Sequence, residues 1–478
     1  MRGSYGFTAV GRISHKYREE KEMPTKSEEI SQKELHEQLR QMEKDYVLHS
    51  WSVQNQYDAP VIVGGEGATF WDMDGKRYLD FSSQAMCNTL GHQHPRVVAA
   101  IQKQAGELCF VQGTWATIPR ARLAKKLIQV SPPNMGKVFF TTGGSEANEN
   151  AIKLARFYTG KQKIISRYRS YHGASAGSMT LSGDPRRWPV EPGIPGVVRA
   201  MDCYCYRCSF GLETPSCNLR CAEHIAELIM LEGKENVAAV IVEPIVGSNG
   251  ILVPPEGYFP RVREICTENN VLLIFDEVMT GFGRTGTWFA SEHWNVLPDM
   301  ITTAKGLTAA MIPLGALIIS KEIASFFDDK VLFAGLTYLG HPLACAAGEA
   351  ALDVYEEEGL IEKSRLLGEH MLERLEEMKS LHPSIGDVRG MGLFATIELV
   401  KDRVTRAPLA EFNHSSPAIG RIVAEARERG VCFNARWNFF VFAPPLVITP
   451  QELDYAMDML NELLVYADEE AVSLSRHT

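Results

Sequence analysis

Apolar and polar positions follow two periods along this chain, and the places where the period changes mark its parts. From Ser27 to Tyr46 charged residues surround Leu35, Leu39 and Met42 at helical spacing, which predicts an N-terminal helix. Phe70 to Tyr78 alternates and reads as a hairpin turning at Asp74-Gly75. From about residue 90 to 330, short apolar runs alternate with amphipathic stretches. Val138-Phe139-Phe140, Lys163-Ile164-Ile165, Ala238 to Val242, Leu272 to Phe275 and Leu314 to Ile319 are the strand candidates. The pattern predicts an α/β fold with a largely parallel sheet. Beyond residue 340 the character changes. Ala344 to Lys379 is nearly continuous helix former, Val388 to Leu399 is β-rich, and Val431-Cys432-Phe433 and Phe439 to Phe442 are further strand candidates. The last helix announces its start, with Thr449 as N-cap, Pro450 at the first helical position and Glu452 closing a capping box. Its apolar stripe is Leu453, Met457, Leu460 and Leu464. The division expected is a flexible segment 1–26, a helix and hairpin over 27–89 belonging to a smaller domain, a large domain over 90–339, and the rest of the small α+β domain over 340–478.

Two of the strand candidates end on charged residues. The run Val271 to Phe275 stops at Asp276-Glu277, and Met300 to Ala304 stops at Lys305-Gly306. In open α/β sheets, ligands bind beyond the carboxyl ends of the strands. An acid and an amine delivered there together can hold a basic ring nitrogen and an aldehyde of one cofactor. An acid that closes a fully apolar strand has to be paired. Composition narrows the alternatives. The 478 residues suffice for two or three domains, and 49 basic against 59 acidic residues give a net charge of −10. That balance gives no support for a nucleic-acid or membrane-surface partner. No run of eighteen apolar residues predicts a membrane span. Met1 to Glu22 is polar and lacks the apolar stretch of a secretory signal. Ten cysteines without such a signal point to reduced thiols and a cytoplasmic location.

Further motifs surround these strand ends. Thr141-Thr142-Gly143-Gly144-Ser145-Glu146-Ala147-Asn148 follows a strand and opens a helix, where free backbone N–H groups suit a phosphate. Read alone, it is equally an ordinary glycine turn with Ser145 as cap. Tyr171-His172-Gly173 lies in a loop and offers a ring to stack on a planar ligand, or simply to cover the core. Glu243-Pro244 ends another apolar strand, and Asp276-Glu277-Val278 runs into Thr280-Gly281-Phe282-Gly283-Arg284-Thr285-Gly286.

With Ala304-Lys305-Gly306-Leu307 and Thr337-Tyr338-Leu339-Gly340-His341-Pro342, these motifs stand in the order found in class III aminotransferases, the ω-aminotransferases of pyridoxal-phosphate (PLP) fold type I. The chain resembles that family over roughly residues 50 to 465. The resemblance implies a mostly parallel seven-stranded sheet in the large domain and PLP as cofactor. It implies Lys305 as the Schiff-base lysine and as the base moving a proton between Cα and C4′. Asp276 would pair with the pyridinium nitrogen, and Gly144 and Ser145 would bind the phosphate. Tyr171 and Val278 would cover the two ring faces, His172 would join the ring contacts, and Glu243 would sit near the ring hydroxyl. Thr337 would reach the phosphate of a partner subunit, which implies a homodimer, or a tetramer built from it, with shared sites.

Two positions depart from branches of that family. Ser248 stands where 4-aminobutyrate enzymes carry a switch glutamate after Glu-Pro. Ten residues before Pro444-Pro445-Leu446, where amine:pyruvate enzymes commonly place a carboxylate-binding arginine, stands Asn434, with Arg436 two positions on. Arg436, Trp51 and Met86 are therefore the candidate substrate contacts. Cys205, Cys208, Cys217 and Cys221 read Cys-x2-Cys-x8-Cys-x3-Cys, a spacing open to zinc, although related loops form part of the family scaffold without metal, and no metal is expected. The expected reaction is amino transfer from an ω-amino acid or amine, of the taurine, β-alanine or 4-aminobutyrate type, to a keto acid, with pyruvate favoured. An aminomutase or a decarboxylating transaminase on the same cofactor is the rival, and a non-catalytic PLP-binding protein is disfavoured by the presence of Lys305 and Asp276.

Overall fold

The structure, a computed structural model, describes residues 31–475. The expected flexible segment 1–26 and the start of the predicted helix at Ser27 lie outside the described residues. The chain forms two compact units, residues 1–61 and 62–478. In the first, the helix Gln32–Tyr46 begins at Ser31. The Ser31 hydroxyl accepts from the backbone N of Glu34, and the Glu34 carboxylate accepts from the backbone N of Ser31 at 3.0 Å. This reciprocal pair satisfies two otherwise orphaned donors.

The second unit opens with three antiparallel strands, β1 (Ile62–Glu66), β2 (Thr69–Asp72) and β3 (Arg77–Asp80). The β2–β3 turn is the one expected at Asp74-Gly75: Gly75 has φ 82°, and Asp72 Oδ1 accepts from the backbone N of both Asp74 and Lys76.

The central sheet has seven strands: β4 (Met135–Thr141), β5 (Lys163–Arg167), β6 (Val197–Ala200), β7 (Val237–Val242), β8 (Leu272–Asp276), β9 (Met300–Thr303) and β10 (Gly315–Ser320). Their order is β4-β10-β9-β8-β7-β5-β6. Strands β6, β5, β7, β8 and β9 pair in parallel. β10 is antiparallel to both β9 and β4, so β4 again runs with β9 and only β10 is reversed. The carboxyl ends of β4, β5, β7, β8 and β9 therefore lie along one edge. All six residues of β7 are fully buried, as expected where helices cover both faces of a parallel sheet. Each such valine or isoleucine stabilises the fold by about 1.5–3 kcal/mol. The strand period of two is visible in what each side touches. Ala239, Ile241 and Ile274 share a cluster with Ile152 and Leu154 of the helix Gly144–Thr159. Val240, Val242, Leu273 and Phe275 share another with Ile225 and Phe259 of the helices Arg220–Glu232 and Tyr258–Glu268.

The predicted run of helix from Ala344 to Lys379 is two helices, Pro342–Glu357 and Leu360–Leu381, because Gly359 takes φ 62° between them. A further sheet follows, built from β11 (Ile385–Gly390) and β12 (Ala395–Asp402), with the short β13 (Ala407–Pro408) on the edge of β12. β14 (Val431–Cys432) leaves this sheet and pairs in parallel with β3. β15 (Asn434–Arg436) and β16 (Phe439–Val441) complete the order β11-β12-β16-β15. The final helix, Pro450–Leu463, carries the expected capping box, with Glu452 N donating to Thr449 Oγ1 at 3.2 Å. Among the described residues no helix is long and apolar enough to cross a membrane.

Candidate active site

A cavity of about 430 Å³ opens at the shared edge of strand ends. Gly144, Ser145, Tyr171, His172, Glu243, Asp276, Val278 and Lys305 all line it, brought there from five different strand ends. A larger groove of about 640 Å³, lined in part by Lys103, Glu107, Arg122 and Asp353, lies among helices, and no strand end opens into it.

Lys305 follows β9 directly and sits at φ 40°, a left-handed conformation that costs energy for any residue but glycine. It is half-buried and lines the cavity. Burial holds its ammonium below the usual lysine range, and the Arg186 guanidinium nearby acts in the same direction. A lysine so placed has more of the neutral amine that nucleophilic and basic chemistry needs.

Asp276, 4% exposed, ends β8. Its Oδ2 accepts from Asn148 Nδ2 at 2.8 Å and lies 2.7 Å from His172 Nδ1, and its Oδ1 accepts from the backbone N of Val278 at 3.1 Å. Asn148 in turn donates to the carbonyl of His172 at 2.7 Å and accepts from Thr302 Oγ1 at 2.8 Å. Glu243 is also buried: its Oε1 accepts from the backbone N of Tyr171 at 3.0 Å and its Oε2 from that of Gly247 at 2.8 Å. Burial, reinforced by the Asp276 charge, pushes its carboxyl above the usual range.

The helix Gly144–Thr159 starts at Gly143 with no side chain capping it, so its first N–H groups face the cavity end without a protein acceptor from the cap. Ser145 Oγ lies 2.6 Å from Ser175 Oγ and 2.7 Å from Ser178 Oγ. A Cβ on Gly144 would meet Val278 Cγ2 at 2.8 Å, so glycine is what lets Val278 pack against this turn.

These residues suit an anionic, planar, nitrogen-containing cofactor. The uncapped helix N-terminus matches a phosphate. Asp276 is a carboxylate held at a strand end by Asn148, His172 and Val278, a group of the kind that pairs with a basic ring nitrogen. His172 Nε2, buried, has no hydrogen-bond partner among the described residues. The cavity has the size of a small-molecule site.

This chain belongs to the class III aminotransferases: the family model described as "Aminotransferase class-III" matches residues 52–464. It is a PLP-dependent enzyme of that family. A taurine–pyruvate aminotransferase of Bilophila wadsworthia is 35% identical over 441 residues, covering 87% of this chain and 94% of the relative. A putrescine–pyruvate aminotransferase of Pseudomonas aeruginosa is 34% identical over 423 residues, covering 86% and 91%. Among solved structures, a taurine:2-oxoglutarate aminotransferase from Bifidobacterium kashiwanohense, in complex with PLP and glutamate, matches with a TM-score of 0.87 at 40% identity, covering 91% of this chain and 98% of that one.

The remaining sequence candidates fall elsewhere. Thr337 is exposed in the turn before the helix Pro342–Glu357 and does not line this chain's cavity. Met86 is buried in an apolar cluster with Met279, which does line it, and Asn434 Nδ2 donates to Met86 Sδ at 3.7 Å. Trp51 lies in the first unit, in a turn at φ 60° with its side chain exposed. Arg436, on β15, donates to the Ser248 carbonyl at 3.2 Å and lies 3.3 Å from Asp184 Oδ2. Of the ten cysteines, none is in a disulfide, and among the described residues no group of three or more His, Cys, Asp or Glu side chains could hold a metal. Sequence reasoning missed Asn148 and Cys87, which line the cavity, and Asp184 and Arg186, which pair with each other beside Arg436. Asn148 had a usable signal, since it lies one helical turn beyond Gly144 and faces the same way. Asp184, before Pro185, reads from sequence only as a turn cap, which it also is.

Proposed function

We propose that this enzyme transfers an amino group from an ω-amino acid or related amine, of the taurine, β-alanine or 4-aminobutyrate type, to a keto acid, with pyruvate as acceptor. The observation that carries the proposal is the convergence of a half-buried lysine, Lys305, and a fixed carboxylate, Asp276, from adjacent parallel strands onto one cavity beside an uncapped helix N-terminus. Bound PLP supplies an aldehyde to capture the amine and a protonated ring to draw electrons from the carbon that bears it.

In this reading Asp276, oriented by Asn148 and His172, keeps the ring nitrogen protonated. Gly144 and Ser145 hold the phosphate, Tyr171 and Val278 cover the ring faces, and Glu243 stands toward the ring hydroxyl. Lys305 Nζ anchors the cofactor and, once released, takes the proton from the substrate carbon bearing the amine. Thr337, exposed and away from its own cavity, serves a second copy of the chain, so the working form is a homodimer. The location is the cytoplasm, in keeping with ten unpaired thiols.

Lys305→Ala is expected to lower turnover by on the order of 10⁴-fold or more, since it removes both anchor and base. The visible absorbance of the lysine-bound cofactor disappears with it. Retention of full transamination by that variant refutes the assignment. A matrix of taurine, β-alanine, 4-aminobutyrate and putrescine against pyruvate, 2-oxoglutarate and glyoxylate identifies donor and acceptor. Failure of every acidic donor with pyruvate refutes the substrate reading.

A further inference from the structure

Glu243 follows β7 directly, and the chain after it folds into a closed loop from Val246 to Leu252. Val246 and Leu252 exchange backbone N–H to carbonyl bonds at 3.2 and 3.1 Å. Inside the loop, the backbone N of Gly250 and of Ile251 both donate to the Gly247 carbonyl, at 3.2 and 3.1 Å. The backbone N of Gly247 in turn donates to Glu243 Oε2 at 2.8 Å. A Cβ on Gly247 would collide with Met279 Sδ, so this peptide is pressed against a side chain that lines the cavity. Ile251 holds φ 46°, an outlier for a β-branched residue that its surroundings have to enforce.

The enforcing group comes from another sheet. Arg389, on β11, donates to the Gly250 carbonyl from Nη2 at 2.6 Å and from Nε at 2.9 Å, and to the Ile251 carbonyl from Nε at 3.1 Å. Its Nη1 donates to Asp387 Oδ2 at 2.7 Å and lies 2.9 Å from Glu398 Oε2. Glu398, on β12 and 1% exposed, also accepts from Arg207 Nε at 2.5 Å and from the Tyr204 hydroxyl. A planar guanidinium fixed on one side by acids presents its other side to carbonyls in one orientation. Hydrogen bonds therefore run without a break from Arg389, through the peptides of Gly250, Ile251 and Gly247, to the carboxylate of Glu243.

We infer that Arg389 is a positioning residue of the cofactor site: by gripping the Gly250 and Ile251 carbonyls it holds the Gly247 N–H on Glu243 and so aims that carboxylate into the cavity. This deepens, and rests on, the reading above in which Glu243 stands toward the ring hydroxyl of PLP. Without the fork, Ile251 relaxes toward ordinary backbone, the Gly247 N–H turns aside, and Glu243 rotates freely.

The test compares Arg389→Lys with Arg207→Lys, each alone and each combined with Glu243→Gln. Arg389→Lys keeps a charge beside Glu398 but cannot reach the acids and both carbonyls together. Arg207→Lys disturbs the same Glu398 and touches neither carbonyl, so it reports general damage to the network. The readouts are equilibrium dialysis of PLP against the cofactor-free proteins and the pH titration of the visible absorbance of bound PLP. Arg389→Lys weakens PLP binding by on the order of 3- to 10-fold. It moves the absorbance midpoint by about 0.5 pH unit, a ~3-fold change in the proton equilibrium. Arg207→Lys leaves both at the wild-type values. In the Glu243→Gln background Arg389→Lys adds no further change, because the carboxylate it aims is gone. Gly250→Ala, whose Cβ would lie 3.2 Å from Arg389 Nη2, disturbs the same grip with the arginine in place and moves the midpoint in the same direction. Equal shifts in the two lysine variants, an Arg389→Lys effect that persists in full in Glu243→Gln, or an unmoved midpoint in Gly250→Ala overturns the inference and leaves the aminotransferase reading standing. A wild type that gains no visible absorbance with PLP refutes that reading, and the inference falls with it.

Discussion

Removing the Asn148 side chain tests how the Asp276 carboxylate is held. Asn148 is 1% exposed and makes three hydrogen bonds, to Asp276, to the His172 carbonyl and from Thr302. The first is charge-assisted and contributes about 1.5–3 kcal/mol, and the two neutral bonds contribute roughly 0.5–1.5 kcal/mol each. The residue lines the cavity, so water can enter and recover part of the loss in Asn148→Ala. The expected net destabilisation is therefore about 2–4 kcal/mol. Asp276 keeps only His172 and Val278 as partners and can rotate away from a ring nitrogen. Cofactor affinity should fall on the order of 10- to 100-fold, equivalent to about 1.4–2.8 kcal/mol. Equilibrium dialysis against PLP measures the affinity, and urea unfolding of the cofactor-free protein measures the stability. Wild-type affinity together with a stability loss below about 0.5 kcal/mol would show that Asn148 does not hold Asp276.

Two further outcomes follow from packing and charge. Burial pushes the Glu277 carboxyl up to about 7 from an ordinary 4.5, although Thr280 and the backbone N of Ala290 and Ser291 donate to it. The folded state therefore keeps a proton that the unfolded chain has released, and the resulting stability is complete below pH 4.5 and lost as pH rises through 7. The loss is about 3 kcal/mol. Urea unfolding at pH 5 and pH 8 should show that decline in the wild type and not in Glu277→Gln, and parallel curves for the two would refute it. In the helix Leu360–Leu381, a Cβ on Gly368 would lie 2.2 Å from the Gly392 carbonyl carbon. Gly368→Ala should cost about 1–3 kcal/mol and lower the thermal midpoint, and an unchanged midpoint refutes the close approach.

The sheet was legible because parallel strands buried on both faces leave unbroken apolar runs. β7 and β8 appear in the sequence almost at their observed bounds. The cavity residues were legible where a strand ends abruptly on a charge, as at Asp276 and Lys305, or where glycines cluster before a helix, as at Gly143-Gly144. Asp184 and Arg186 were not, because their meaning depends on Arg436 and Ser248, which reach them from elements far away in the chain. No local period records such a meeting. Ser248 shows the same limit. It stands where 4-aminobutyrate enzymes carry a switch glutamate, and in the structure its hydroxyl and the Asp184 carboxylate both accept from Arg186. β15 was missed for another reason: three half-buried residues with a polar end carry too little apolar pattern to announce a strand.

The pairing of β3 with β14 has a consequence for biosynthesis. Leu79 and Asp80 meet Val431 and Cys432, so the whole of the seven-stranded sheet is made between the two strands. At a synthesis rate of ~5–20 residues per second, the outer edge of β3 waits on the order of tens of seconds for its partner. An unpaired edge is a template for other chains. The nascent protein should therefore be most prone to aggregate while the ribosome is still translating the central sheet, and a chaperone shielding the early hairpin should improve its yield more than one acting after release.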